Sequence, residues 1–216
     1  MRLSEKTLEL NICAQVSAYF KGKQNLLWFG LTQKQEAKAG FDACVKLGGR
    51  LVIFQFKASN HVLKNGTRKF VAPHKQMTDL MQRAHSRRSI YYAFPMVGNT
   101  FDLKANPDLL SQTWLLDVAN IPKNIGPPTK NQTKLQKMNG VPPVLRRNEC
   151  HNIYVEPDKV TIHSDPVEVP TERADIFFSD NIYGSDGIQH LFDGAEHFSD
   201  FVQEQLSGGA RGLIIY

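Results

Sequence analysis

The segment that most constrains the fold is a pair of apolar runs, residues 41–47 and 51–57, joined by Gly48 and Gly49. Two consecutive glycines between apolar runs are typical of a two-residue β-turn, because glycine adopts the positive φ values that such a turn requires. The segment therefore predicts a tight β-hairpin. With a two-residue turn, Asp42 lies directly opposite Gln55.

Three polar side chains converge at the open end of this hairpin. Side chains alternate along a strand, so Lys57 shares the face of Gln55 and Asp42, while Phe56 points to the opposite face. The Asp42 carboxylate, the Gln55 side-chain carbonyl and the Phe56 backbone carbonyl are hard oxygen ligands of the kind that Mg²⁺ or Mn²⁺ prefers. Lys57 could orient a water or stabilise a phosphate beside the metal. The alternative is a simple ion pair between Asp42 and Lys57.

The elements around the hairpin predict an α/β protein. A helix follows Ser4 to about residue 20, with apolar residues at helical spacing, and a strand covers residues 26–31. A second helix has Pro73 in its first turn, and a strand covers residues 89–94. The first 95 residues thus predict the order helix, three strands, helix, strand. Further strands are expected at 113–118 and in a second hairpin, 152–155 with 160–163.

The charge is distributed unevenly along the chain. Residues 1–148 hold 23 basic and 8 acidic residues, and residues 149–216 hold 3 basic and 13 acidic residues, within an overall formal charge of +5. A basic region of this size indicates a polyanionic partner such as nucleic acid, although two solvated faces of opposite charge would give the same pattern.

The hairpin motif resembles the PD-(D/E)xK nuclease superfamily, in particular its Mrr-like and defence-associated branches, in which Gln replaces the second acidic residue. The resemblance rests on Asp42, the sequence Gln55-Phe56-Lys57 and the order of elements in residues 4–95. It implies a restriction-endonuclease-like core, Mg²⁺-dependent cleavage of phosphodiester bonds in DNA, and a role in defence against foreign DNA. It leaves open a homodimer or a partner in an effector complex. The rival hypothesis is an inactive module on the same fold that binds nucleic acid or protein.

Members of this superfamily usually add a glutamate from the N-terminal side of the motif. Glu9, on the first helix, and Glu36, six residues before Asp42, are the two candidates, and Glu36 has the shorter reach. His74 and Gln76 begin the second helix and could contact phosphate or water near the site. His151 and His163 match no zinc-binding spacing and are expected to be surface residues.

Three segments are expected: a nuclease core over 1–120, a basic Pro- and Lys-rich linker over 121–148, and an acidic extension over 149–216 that packs on the core as a β-hairpin plus a helix at 195–206. The carboxylates of the extension either compete with phosphate or face away. Three widely spaced cysteines argue against disulfides, and no apolar run reaches the length of a membrane helix. We therefore expect a cytoplasmic protein with no membrane partner.

Overall fold

The computed structural model describes residues 1–21, 26–30, 41–47, 50–84, 89–128, 150–157, 159–162, 167–183 and 213–214. The helices in these ranges are α1 (Glu5–Phe20), α2 (His74–Arg83), α3 (Thr100–Ala105) and α4 (Ala174–Tyr183), with a 3-10 turn at Val118–Asn120. The strands are β1 (Leu27–Gly30), β2 (Ala43–Leu47), β3 (Arg50–Phe56), β4 (His61–Val62), β5 (Arg68–Pro73), β6 (Ser89–Pro95), β7 (Thr113–Asp117), β8 (Cys150–Glu156), β9 (Lys159–Ile162), β10 (Val167–Pro170), β11 (Glu172–Arg173) and β12 (Leu213–Ile214).

The strands form two sheets, and the chain is α/β as expected. The first sheet has seven strands in the order β11-β7-β6-β3-β2-β1-β12, in which only the β3–β6 pair is parallel among the described strands. The second sheet has five antiparallel strands in the order β10-β9-β8-β5-β4. The connection from β3 to β6 contains β4, β5 and α2, so the second sheet begins inside this crossover.

Helix α1 begins where its sequence predicts. The Ser4 side chain accepts a hydrogen bond from the backbone N–H of Thr7 at 3.1 Å, which satisfies one of the free donors at the helix N-terminus. The apolar side chains that α1 buries recur every four residues, so they form one stripe along the helix, and Glu9 is buried next to them. They are Leu8, Ile12, Val16 and Phe20.

The two faces of the seven-stranded sheet face two separate hydrophobic clusters. Leu51 and Ile53 pack on the side of α2 and the second sheet. Val52, Phe54 and Phe56 pack on the side of α1 and α4. The β3 side chains therefore alternate between the two faces of the sheet, as predicted. α1 and α2 lie on opposite sides of β3, the strand that carries Gln55.

Within the first 95 residues, the order of elements differs from the prediction by two strands. β4 and β5 stand between β3 and α2, where the sequence predicted none. β4 has only two residues, both exposed, and β5 ends at Pro73, which is also the N-cap position of α2. Neither strand has the long apolar run by which a strand is recognised in a sequence. β5 is instead stabilised by pairing with β8, which lies far from it in the sequence.

Residues 150–183 pack against the rest of the protein. β8 and β9 form the predicted second hairpin, and β8 also pairs with β5. Phe177 and Phe178 of α4 are buried in the cluster on the α1 side of the sheet. Of the predicted linker, only 121–128 is described, and Ile121 and Ile125 are buried there. The predicted helix at 195–206 lies outside the described residues.

Within the described ranges, no helix has the length and apolar character needed to span a membrane.

Candidate metal and phosphodiester site

The hairpin of β2 and β3 brings Asp42 and Gln55 together. Ala43 pairs with Phe54 and Leu47 pairs with Arg50, which is the register expected from a two-residue connection. Gly48 and Gly49 themselves lie outside the described residues. Asp42 directly precedes β2, and its backbone N–H donates to the Phe54 carbonyl at 3.1 Å. The predicted hairpin register is therefore confirmed from Ala43 to Leu47, and Asp42 meets Gln55 through its side chain rather than as a paired strand residue.

The Asp42 carboxylate is held by two N–H groups of β3. Its Oδ2 accepts from the backbone N–H of Phe56 at 2.7 Å and from Nε2 of Gln55 at 2.6 Å. The same Gln55 nitrogen also donates to the Phe56 carbonyl oxygen at 3.2 Å. The three groups predicted as metal ligands thus lie around one nitrogen atom, that of the Gln55 amide.

Burial disfavours ionisation of the Asp42 carboxylate. Desolvation raises its pKa from 3.8 to about 6, against the opposing effects of the Phe56 N–H, the Lys57 charge and the Gln55 amide. The negative charge of Glu5 adds to the rise. A carboxylate with a raised pKa in a partly buried site is typical of functional groups, although structural networks also produce such shifts. Above this pKa the Asp42 carboxylate carries the negative charge that a cation requires.

Lys57 lies within electrostatic reach of Asp42, and both its backbone and its side chain have partners. Its backbone N–H donates to the Ala93 carbonyl of β6 at 3.0 Å, and its side chain is only 7% exposed. Its Nζ lies 3.9 Å from Oε1 of Glu5. Lys57 acts on Asp42 electrostatically by lowering its pKa, so the structure brings together the three residues of the predicted motif.

Glu5 is the acidic residue of α1 that contacts this cluster, and it was not among the predicted site residues. Its Oε1 accepts from the backbone N–H of Ala58 at 3.4 Å, besides contacting Lys57. Glu9, which was selected, pairs instead with Lys6 at 2.7 Å. Glu5 and Glu9 are one turn apart on the same helix face, so a helical projection from Ser4 would have found both. Glu36 lies outside the described residues.

Gln76 of α2 extends the cluster. Its Nε2 donates to Oε1 of Gln55 at 2.9 Å. Gln76 therefore lies near the site, and its contact there is with Gln55. Tyr92, the parallel neighbour of Gln55 on β6, is fully buried. Its hydroxyl has no hydrogen-bond partner within the described part of the chain. Burial, with a further contribution from the Asp42 charge, raises the Tyr92 pKa.

The prediction for His151 was wrong. His151 is fully buried, and its Nε2 lies 2.8 Å from Nδ1 of His74. Side chains alternate along β8, and His151 lies on the same buried face as Ile153 and Val155, which pack in the hydrophobic cluster. His74 therefore contacts His151, and His163 lies outside the described residues.

The cluster offers a carboxylate, amide and carbonyl oxygens, and an ammonium group at one end of β3. Among residues that the structure describes, no group of three or more His, Cys, Asp or Glu side chains is arranged to hold a metal ion. Any cation here would therefore rely on Asp42 with neutral oxygen ligands. Comparisons with protein-family models, with curated proteins and with solved structures returned no match.

Proposed function

We propose that this protein is a metal-dependent nuclease that hydrolyses phosphodiester bonds in DNA. The observation that carries the proposal is the partly buried Asp42 carboxylate, held by the Gln55 amide and lying within electrostatic reach of Lys57. A carboxylate and neutral oxygen donors can hold a hard divalent cation, and a neighbouring ammonium can stabilise charge on a phosphate. The role in defence against foreign DNA rests on the family resemblance alone.

The fold part of the proposal is a restriction-endonuclease-like core. The order and pairing of the elements support it. α1 is followed by the antiparallel strands β1, β2 and β3, and β6 pairs in parallel with β3 after a crossover that contains α2. In this proposal, β4 and β5 are an insertion into the crossover. They lead the chain into the second sheet without separating β3 from β6.

The surroundings of the Gln55 amide support a divalent cation. Asp42 Oδ2 and the Phe56 carbonyl oxygen converge on one point, now taken by the Gln55 Nε2, at 2.6 and 3.2 Å. Oxygen acceptors that converge in this way are the donor type of a Mg²⁺ or Mn²⁺ site, so we assign Asp42, Gln55 and the Phe56 carbonyl as the ligands. When bound, the ion supplies Lewis-acid stabilisation of charge on the phosphate and promotes ionisation of water.

The protein's own groups hold the reacting parts in place. Lys57 is restrained by burial and by Glu5, and its ammonium lies within electrostatic reach of Asp42, where it would orient a water or offset phosphate charge. The Phe56 N–H keeps the Asp42 carboxylate oriented. The basic residues of the first 148 positions would bind the phosphate backbone with an affinity that falls steeply with salt.

The second candidate is a module on the same fold that binds nucleic acid or protein without cleaving it. Gln55, which is neutral where many nucleases have a carboxylate, favours this candidate because it removes one negative charge from the metal site. The two candidates differ in turnover, and both predict nucleic-acid binding at low salt.

The test is cleavage of supercoiled plasmid DNA, with single-stranded RNA in a parallel arm, in Mg²⁺ or Mn²⁺ and in EDTA. We expect metal-dependent cleavage of DNA and a loss of about 100-fold or more in rate for Lys57→Ala, as for removal of one group that stabilises transition-state charge. Lys57→Met, which keeps the apolar stem, is the second variant. Lys64→Ala removes an exposed lysine and is the matched control.

Binding of DNA without metal-dependent cleavage would support the binding module over the nuclease. Equal cleavage rates for wild type and both Lys57 variants would remove Lys57 from the reaction.

A further inference from the structure

We infer that Gln76 is a positioning residue that sets which way the Gln55 amide faces, and thereby limits how tightly the Asp42 site takes a divalent cation. The inference rests on the proposed function, because it concerns the same site. It assigns a role to a contact between α2 and β3 that the cleavage chemistry does not itself require.

The hydrogen bonds fix the direction of the Gln55 amide in the metal-free protein. Its Nε2 donates to Asp42 Oδ2 and to the Phe56 carbonyl, which can only accept, while its Oε1 accepts from Gln76 Nε2 at 2.9 Å. Gln55 is 1% exposed, so water has little access to replace these partners. Each end of the amide therefore has a partner of the correct type.

A cation ligated by Gln55 needs the opposite orientation. The amide nitrogen is a donor and cannot ligate a cation, so the amide must turn to direct Oε1 toward Asp42. After that turn, the Gln55 nitrogen faces the Gln76 nitrogen, so this hydrogen bond is lost unless the Gln76 amide turns as well. Gln76 thus favours the metal-free orientation by the strength of one amide hydrogen bond, which corresponds to about a three- to tenfold reduction in cation affinity.

The decisive variant is Gln76→Met, which keeps the side-chain length and removes the donor without adding charge. We expect it to bind Mn²⁺ about three- to tenfold more tightly than wild type, since the amide then turns without losing that hydrogen bond. Affinity is measured on the full chain by calorimetry and by Mn²⁺ electron paramagnetic resonance, without nucleic acid. Gln76→Leu removes the same donor and serves if Gln76→Met does not fold. Gln82→Met, at an exposed position of α2, is the matched control.

The Gln55→Glu background distinguishes positioning from a general change in the helix. A carboxylate has two oxygens and no donor, so its orientation needs no turn. There, adding Gln76→Met should leave the Mn²⁺ affinity unchanged or lower it. A rise in both backgrounds, or no rise in the Gln55 protein, would overturn the inference.

Asp42→Asn separates this inference from the proposed function. If Asp42→Asn abolishes Mn²⁺ binding and Gln76→Met leaves it at the wild-type value, the proposed metal site stands and the inference fails. If wild type binds no Mn²⁺, or Asp42→Asn binds it as tightly as wild type, the proposed metal site fails and the inference fails with it.

Discussion

Replacing Asp42 with asparagine should stabilise the metal-free protein at neutral pH while abolishing its proposed activity. Folding raises the Asp42 pKa from 3.8 to about 6, so the folded state binds a proton more tightly than the unfolded chain does. The free energy of unfolding therefore falls as pH rises from about 4 to about 6, and it is level above that range. The full shift corresponds to about 3 kcal/mol, which the partial exposure of Asp42 reduces to about 2 kcal/mol.

Asparagine removes the ionisation and can keep the hydrogen bonds. Its side-chain carbonyl can accept from the Phe56 N–H and the Gln55 amide, the two donors that now contact Asp42 Oδ2. Weaker hydrogen bonds in Asp42→Asn would lower its stability by the same amount at every pH. This cost cancels when the stability difference from wild type at one pH is subtracted from the difference at another. The stability of Asp42→Asn relative to wild type should thus increase by about 2 kcal/mol between about pH 4 and pH 7.5.

The measurement is urea unfolding of both proteins in EDTA at the two pH values, followed by circular dichroism. Asp79→Asn, which removes a carboxylate from the α2 ion pair with Lys75, is the matched control and should not reproduce the rise. A stability difference between Asp42→Asn and wild type that is the same at both pH values would refute the argument that the folded site resists ionisation.

Two further predictions concern the second sheet. Burial and the nearby charge of His74 lower the His151 pKa to about 4, so stability should be lost as pH falls from about 6.5 to about 4. His151→Gln should show less of this acid loss in urea unfolding, and an unchanged pH profile would contradict it. A chain ending at Asn148 should not fold, because it loses β8, the partner of β5, together with β9, β10 and α4; a dispersed amide NMR spectrum from that fragment would disprove this.

Local signals made the hairpin and the first helix predictable. Gly48 and Gly49 determine a turn, the turn determines the register, and the register places Asp42 beside Gln55. Ser4 likewise marks the start of α1 within one residue. In both cases, the relevant interactions join residues that are close in the sequence.

The contacts between distant elements were not predictable from these patterns. Glu5 approaches Lys57 only because α1 packs across the sheet, and a glutamate in the first turn of a helix is ordinarily a solvated residue. β5 is a strand because β8 pairs with it, and the burial of His151 follows from the same pairing. Such features depend on tertiary neighbours that neither propensity nor periodicity reveals.

The pairing of β5 with β8 also determines the order in which the site can form. The β2–β3 hairpin closes a very short loop, whereas β5 and β8 are far apart in the sequence and meet only after a large loop has closed. On a growing chain, Asp42 can therefore face Gln55 before the layer beyond that face of the sheet is complete. The water-exposed hairpin becomes the partly buried site at a late stage of folding, once the acidic C-terminal segment has contributed β8 and β9.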